Sequence, residues 1–225
     1  MRKILLLLLS CLILTFSLVN PVFAKESNIR DINGNKVDLD QLPVFKVGEK
    51  KGPVELKNDE KQKSQIYILD RKGEKFIVVE TLTAKDAIPE MEPSDVNTFT
   101  TSAIKYKEYS YDDSISSWVG WEQAHFYMTE YWYIDDVANK ITSFNTSPET
   151  SESYAIGNGH YSKGSTAYWI DATNKTSARA KGYWSWYIGV PTPWGGISYD
   201  DWKTNLYINF YGNGTASGSS EWIDL

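Results

Sequence analysis

Six aspartates stand as Asp-Asp pairs in this chain, Asp112-Asp113, Asp135-Asp136 and Asp200-Asp201, and Glu122 and Glu130 lie in or beside a tryptophan-rich stretch. Paired carboxylates cut glycosidic bonds when the two groups face each other ~5 to 9.5 Å apart across a sugar-sized cleft. Neighbouring aspartates on turns diverge and stay in water. That leaves Glu122 with Glu130, if two strand segments bring them together, and a secreted carboxylate-dependent glycoside hydrolase is the enzymatic reading of the chain.

Other chemistries have less to work with. The two histidines, His125 and His160, form no His-Glu-x-x-His motif, and Cys11 is the single cysteine, so zinc would need an unusual carboxylate-heavy ligand set. There is no Gly-x-Ser-x-Gly elbow for a nucleophilic serine. Gly157-Asn158-Gly159-His160-Tyr161-Ser162 begins like a dinucleotide loop but lacks the third glycine and a following helix pattern. No cofactor and no metal is expected. His160 reads as an exposed loop residue, and His125, between Ala124 and Phe126, as a partly buried, hydrogen-bonded side chain.

Binding is easier to motivate than catalysis. Pro191-Thr192-Pro193-Trp194-Gly195-Gly196 is a turn-prone loop with a tryptophan at its tip, preceded by Tyr187 and followed by Tyr199 and Trp202. Flat rings with polar tips suit stacking on sugar rings or on partner side chains. All nine tryptophans lie between Trp118 and Trp222. An aromatic side chain buries ~150 to 250 Å², worth roughly 4 to 6 kcal/mol gross, and nine exposed indoles would exceed the apolar patch a soluble protein carries. Most, Trp184 and Trp186 included, are therefore expected in a core. The expected ligand-binding residues are Trp194, Tyr199, Trp202 and Tyr187.

These side chains need a scaffold, and the pattern is that of sheets. From Ser177 to Val190, Ala178, Ala180, Gly182, Trp184, Trp186, Ile188 and Val190 alternate with polar or smaller residues, the period of a strand with one buried face. Leu206, Ile208 and Phe210 repeat the pattern up to Gly212-Asn213-Gly214. Phe126 to Ile134 is rich in aromatic and branched residues that suit a pleated surface; a short helix over 116–125 is the competing reading of its approach. Tyr133-Ile134-Asp135 and Trp169-Ile170-Asp171 each lead to an Asn-Lys exit, which points to shared turn chemistry.

Further forward, Asn33-Gly34 and Asp70 to Glu74 mark two hairpins, and Glu49 to Lys63 reads as a solvated, lysine-rich loop. The fold class is all-β: an antiparallel β-sandwich over 105–225, preceded by a hairpin-rich region over 25–83 and a linker or long loop over 84–104.

The first residues are a basic Met1-Arg2-Lys3, an apolar run to Val19, and small residues Val22 and Ala24. That is a secretory signal peptide over 1–24, cut after Ala24, and the run is too short and too interrupted for a spanning helix. The chain beyond it has no thiol and must hold itself together by packing. Together with that peptide, this points to a bacterial secreted protein. The net charge is −6, with 6 Lys+Arg against 13 Asp+Glu in residues 111–225, which disfavours a nucleic-acid partner. The favoured function is non-enzymatic binding of a cell-envelope glycan (a carbohydrate) or an extracellular protein through the aromatic loop. The hydrolase and a secreted antimicrobial or effector protein acting on neighbouring cells are the alternatives.

Overall fold

The computed structural model describes residues 29–31, 33–57, 60–86, 104–118, 120–135, 137–190 and 197–225, and for 104, 190 and 197–199 the backbone alone. The expected signal peptide, most of the 84–104 connector and the loop carrying Trp194 lie outside the described residues. The chain is all-β. Its strands are β1 (Val44–Lys46), β2 (Val54–Leu56), β3 (Gln62–Arg71), β4 (Glu74–Asp86), β5 (Ile104–Ser117), β6 (Glu122–Asp135), β7 (Lys140–Phe144), β8 (Glu149–Tyr154), β9 (Gly159–Trp169), β10 (Ser177–Val190), β11 (Ile197–Tyr211) and β12 (Ala216–Asp224). Among the described residues no helix is long and apolar enough to cross a membrane.

The strands form two sheets. The first runs β1-β3-β4-β5-β6-β7, with β8 paired to the other half of the β6 edge, and the second runs β2-β12-β11-β10-β9. β1 pairs with β3 in parallel and the remaining pairings are antiparallel. Pairing crosses the 84–104 segment in both sheets: β4 lies against β5 from Phe76↔Ser117 to Asp86↔Lys107, and β2 lies against β12 with Val54 opposite Gly218.

β10 alternates as its sequence requires. Ala178, Ala180, Trp184, Trp186 and Ile188 are buried, and the residues between them face outward. The inner faces meet through rings. Phe126 of the first sheet packs 5.0 Å from Trp184 and 5.5 Å from Trp186 of the second, and Trp132 stacks on Phe210 at 4.7 Å. Trp186 stacks in turn on Trp202. Three of the buried indole nitrogens find a buried or nearby acceptor, Trp186 donating to Thr204 Oγ1 at 2.9 Å, Trp202 to Asp200 at 2.9 Å and Trp222 to the Tyr67 hydroxyl at 3.1 Å, whereas Trp132 Nε1 has no hydrogen-bond partner.

Two polar ties also cross between the sheets. Arg71 of β3, almost wholly buried, holds Asp200 of β11 and Asp224 of β12 and lies 4.4 Å over the Trp202 ring. Glu80 of β4, fully buried, accepts hydrogen bonds from Tyr67 at 2.9 Å and from Ser220 of β12, and pairs with Lys51. Lys51 corrects the expectation of a solvated loop over Glu49 to Lys63. That stretch contains β2, and the lysine side chain is 6% exposed because a buried carboxylate needs a cation beside it.

The remaining turns follow local chemistry. Asp135 accepts hydrogen bonds from the backbone N–H of Val137 and Ala138, Asp171 from that of Asn174, and Asn139 and Lys175 take positive φ at the two exits. The two turns meet where Ile141 N–H donates to the Lys175 carbonyl. Gly212 sits so close to them that a Cβ there would lie 2.1 Å from the Asn139 carbonyl oxygen. At the opposite end Ser117 to Trp121 is a tight hairpin turn with Gly120 at φ 85°, where a helix over 116–125 was the competing reading.

The ring contacts make Trp186 the centre of the interlock. Trp186→Ala is expected to cost about 3 to 5 kcal/mol of unfolding free energy, measured by urea denaturation; a cost below about 1 kcal/mol would show that the sheets are held elsewhere.

Candidate functional site

The paired carboxylates separate. Asp112 and Asp113 lie on opposite faces of β5: Asp112 faces outward beside His125, with 2.8 Å between its Oδ2 and His125 Nε2, and Asp113 is fully buried. Asp200 is turned inward to Arg71 while Asp201 accepts a hydrogen bond from Tyr161 on the outer face. Glu122 and Glu130 sit on the one strand β6, eight residues or about 26 Å apart, too far to flank one glycosidic bond. Glu122 is exposed and Glu130 is buried. Glu130 accepts one hydrogen bond at 2.9 Å from the backbone N–H of Asn145, and burial pushes its carboxyl up to about 8.

A different carboxylate pair lies inside the sandwich. Glu80 and Asp113 are direct cross-strand partners on the inner faces of β4 and β5, both fully buried. Glu80 collects Lys51, Tyr67, Ser220 and Gln65 around it, whereas neither oxygen of Asp113 has a hydrogen-bond partner. Burial, and then the neighbouring Glu80, hold the Asp113 carboxyl well above its ordinary range. Two neighbouring acids in unlike surroundings, one ringed by donors and one without a partner, are also the arrangement from which acid–base catalysis divides its roles. Both side chains are sealed from solvent, and the tie the pair makes to the second sheet is that of Glu80 on β4 to Ser220 on β12.

Exposed large side chains stand at the end of the sandwich that carries the turns 118–121 and 155–158. Asn158 of the second turn donates to the Gln123 carbonyl at the start of β6 at 2.9 Å and accepts from Gly189 N–H near the end of β10 at 3.1 Å. Trp121 is 75% exposed, Ile156 89% and Tyr161 59%. Tyr161 packs 5.0 Å from Tyr187, the rings tilted by 39°, and its hydroxyl donates to Asp201 Oδ1 at 2.8 Å. The pairing of β10 with β11 ends in the register pair Val190 and Ile197, and the intervening residues 191–196, with Trp194, lie outside the described residues.

Of the four residues expected to bind ligand, Tyr187 therefore stands on the outer face within this aromatic end. Trp194 lies outside the described residues, and so does the side chain of Tyr199, whose backbone is part of β11. Trp202 is corrected: it is fully buried, stacked on Trp186 and under Arg71, because it shares the inward parity of Leu206, Ile208 and Phe210 along β11. His160 is on β9 rather than in a loop, partly exposed, 3.6 Å from Glu152 and stacked near Tyr154. Sequence reasoning missed Trp121, Tyr161 and Ile156. The signal for Trp121 was Gly120 before it, the mark of a hairpin turn that lifts the next residue to its lip.

Glu130 yields a pH prediction. A buried acid with a raised folded-state value keeps its proton between about 4.5 and 8, where the unfolded chain has lost it. Its fold is unpenalised below about 4.5 and is penalised increasingly as pH rises towards 8. Glu130→Gln should therefore gain stability relative to the parent by roughly 3 to 5 kcal/mol between pH 4 and pH 8.5, at about 1.4 kcal/mol per unit. Denaturation at the two pH values checks it, and a difference independent of pH would refute the assignment.

Compared with protein families, with curated proteins and with solved structures, the chain matches none of them, so its function has to be read from the geometry of this site.

Proposed function

We propose that the protein is a secreted, non-enzymatic binder of an extracellular glycan, and that it engages this ligand at the aromatic end of the sandwich. The observation that carries the reading is the Tyr161–Tyr187 pair with Asp201, the strand of Tyr187 leading in sequence to the segment that holds Trp194. An aromatic face with a carboxylate at its edge offers both a surface for the C–H face of a sugar and an acceptor for its hydroxyls. Secretion rests on the basic, apolar and small-residue pattern of residues 1–24. A non-enzymatic role is favoured by the wide separation of Glu122 from Glu130 along β6.

An extracellular protein is the second reading, and Trp121 and Ile156 favour it. Both are strongly exposed on neighbouring connectors, and large apolar side chains at a loop end are the anchors of protein interfaces.

The test is calorimetry and tryptophan fluorescence with residues 25–225 against a panel of cell-wall and plant polysaccharides. At least one polysaccharide is expected to bind, and Tyr187→Ala and Trp194→Ala should each weaken it tenfold or more, about 1.4 kcal/mol. Tyr168→Ala, at the other end of the same face, should leave affinity unchanged. Parent-like binding by both loop-end variants would place the site elsewhere.

A further inference from the structure

Resting on that reading, we propose that the outer face of β9 and β10 is a two-ring platform for an extended, linear, uncharged glycan chain lying along β10, with Tyr187 and Tyr183 as its subsites. Side chains on a sheet ordinarily stand roughly perpendicular to it. These two do not. Tyr183 is opposite Gly164 and Tyr187 is opposite Gly159, and each ring lies down over its glycine. A Cβ on Gly164 would fall 2.5 Å from the Tyr183 hydroxyl oxygen and 2.7 Å from its Cζ, and a Cβ on Gly159 would fall 2.8 Å and 3.0 Å from the same atoms of Tyr187. Neither glycine has positive φ, so space under the ring, not backbone conformation, is what requires them.

The register shows how the second glycine comes to lie beneath its tyrosine. Between Ser185↔Ser162 and Trp186↔His160 the pairing shifts, and Tyr161 is the extra residue. Without that bulge Gly159 would miss its place opposite Tyr187. The bulge also presents the Tyr161 ring beside Tyr187, so one irregularity builds the platform twice over.

Spacing and chemistry name the occupant. The two tyrosines are four residues apart on one strand, about 13 Å, farther than a single sugar ring reaches. Ser162 and Ser185 form the rung between them, Lys203 stands beside Ser185, and Asp201 stands beside Tyr187. Asn205, beside Tyr183 and 3% exposed, donates to Glu221 while its Oδ1 has no hydrogen-bond partner. Flat rings separated by small hydroxyl groups, with the cations Lys181 and Lys203 balanced by the anions Asp201 and Glu221 alongside, fit a ribbon of sugar rings that stacks at two points and carries no net charge.

The experiment uses residues 25–225 with cello-oligosaccharides and chito-oligosaccharides of two to six units, measured by calorimetry. Affinity is expected to rise at least tenfold between the disaccharide and the pentasaccharide of one series and then level off. Tyr183→Ala should bring the pentasaccharide down to the affinity of the disaccharide without altering the disaccharide. Gly164→Ala, which contacts no ligand but lifts the ring, should do the same, with an unchanged circular dichroism spectrum as the check on folding. Binding that is independent of chain length, or parent-like affinity in Tyr183→Ala, overturns the platform while leaving a glycan binder. If no saccharide of either series and no polysaccharide of the panel binds, the platform and the proposed function fall together.

Discussion

The interlock of rings between the two sheets is the constraint on which the rest of the structure depends. The single cysteine is Cys11, so no covalent bridge joins β1–β12. Phe126 and Trp132 reach from the first sheet into the gaps between Trp184, Trp186, Trp222 and Phe210 of the second. Ring pairs of this kind add to area burial only in tilted or offset geometry, which fixes how the sheets sit. The outer face can therefore be given over to polar groups and rings lying flat, because the inner face alone carries the burial.

Buried charge is placed against the rings, Arg71 over Trp202 and Glu80 at the Tyr67 hydroxyl. Arg71 and Glu80 lie on β3 and β4, and each is completed by residues of β11 or β12. A buried ion is costly unless its remaining hydrogen-bonding capacity is filled. Glu80 meets that condition with one cation, two hydroxyls and an amide, whereas the carboxyl of Asp113 beside it, without a hydrogen-bond partner, is pushed well above its ordinary range by burial. The strands before residue 87 are thereby joined to those after 103 by polar contacts whose loss would leave an unpaired charge, a stricter demand than apolar packing makes.

Much of this was legible in the sequence, and the residues show why. The alternation of β10 requires one buried face, and its inward set follows without knowledge of the partner strands. The same parity carried back from Phe210, Ile208 and Leu206 would have turned Trp202 inward; its place shortly after the Trp194 loop suggested the surface instead. Lys51 was hidden by composition, since a lysine-rich stretch looks solvated until a carboxylate 29 residues away is seen to face it. Glycines under tyrosines depend on cross-strand register, including the bulge at Tyr161, and no local pattern announces them.

The pairing of β2 with β12 bears on how the molecule comes into being. Val54 waits for Gly218, Glu80 for Ser220 and Arg71 for Asp224, so the earliest-made elements lack their partners until almost all of the described chain has been synthesised. Contacts of such long sequence separation make folding slow and cooperative at its close. In a polypeptide built in this way β3, β4, β5 and β6 can pair in the order they are made, while closure of the sandwich over them waits for β12.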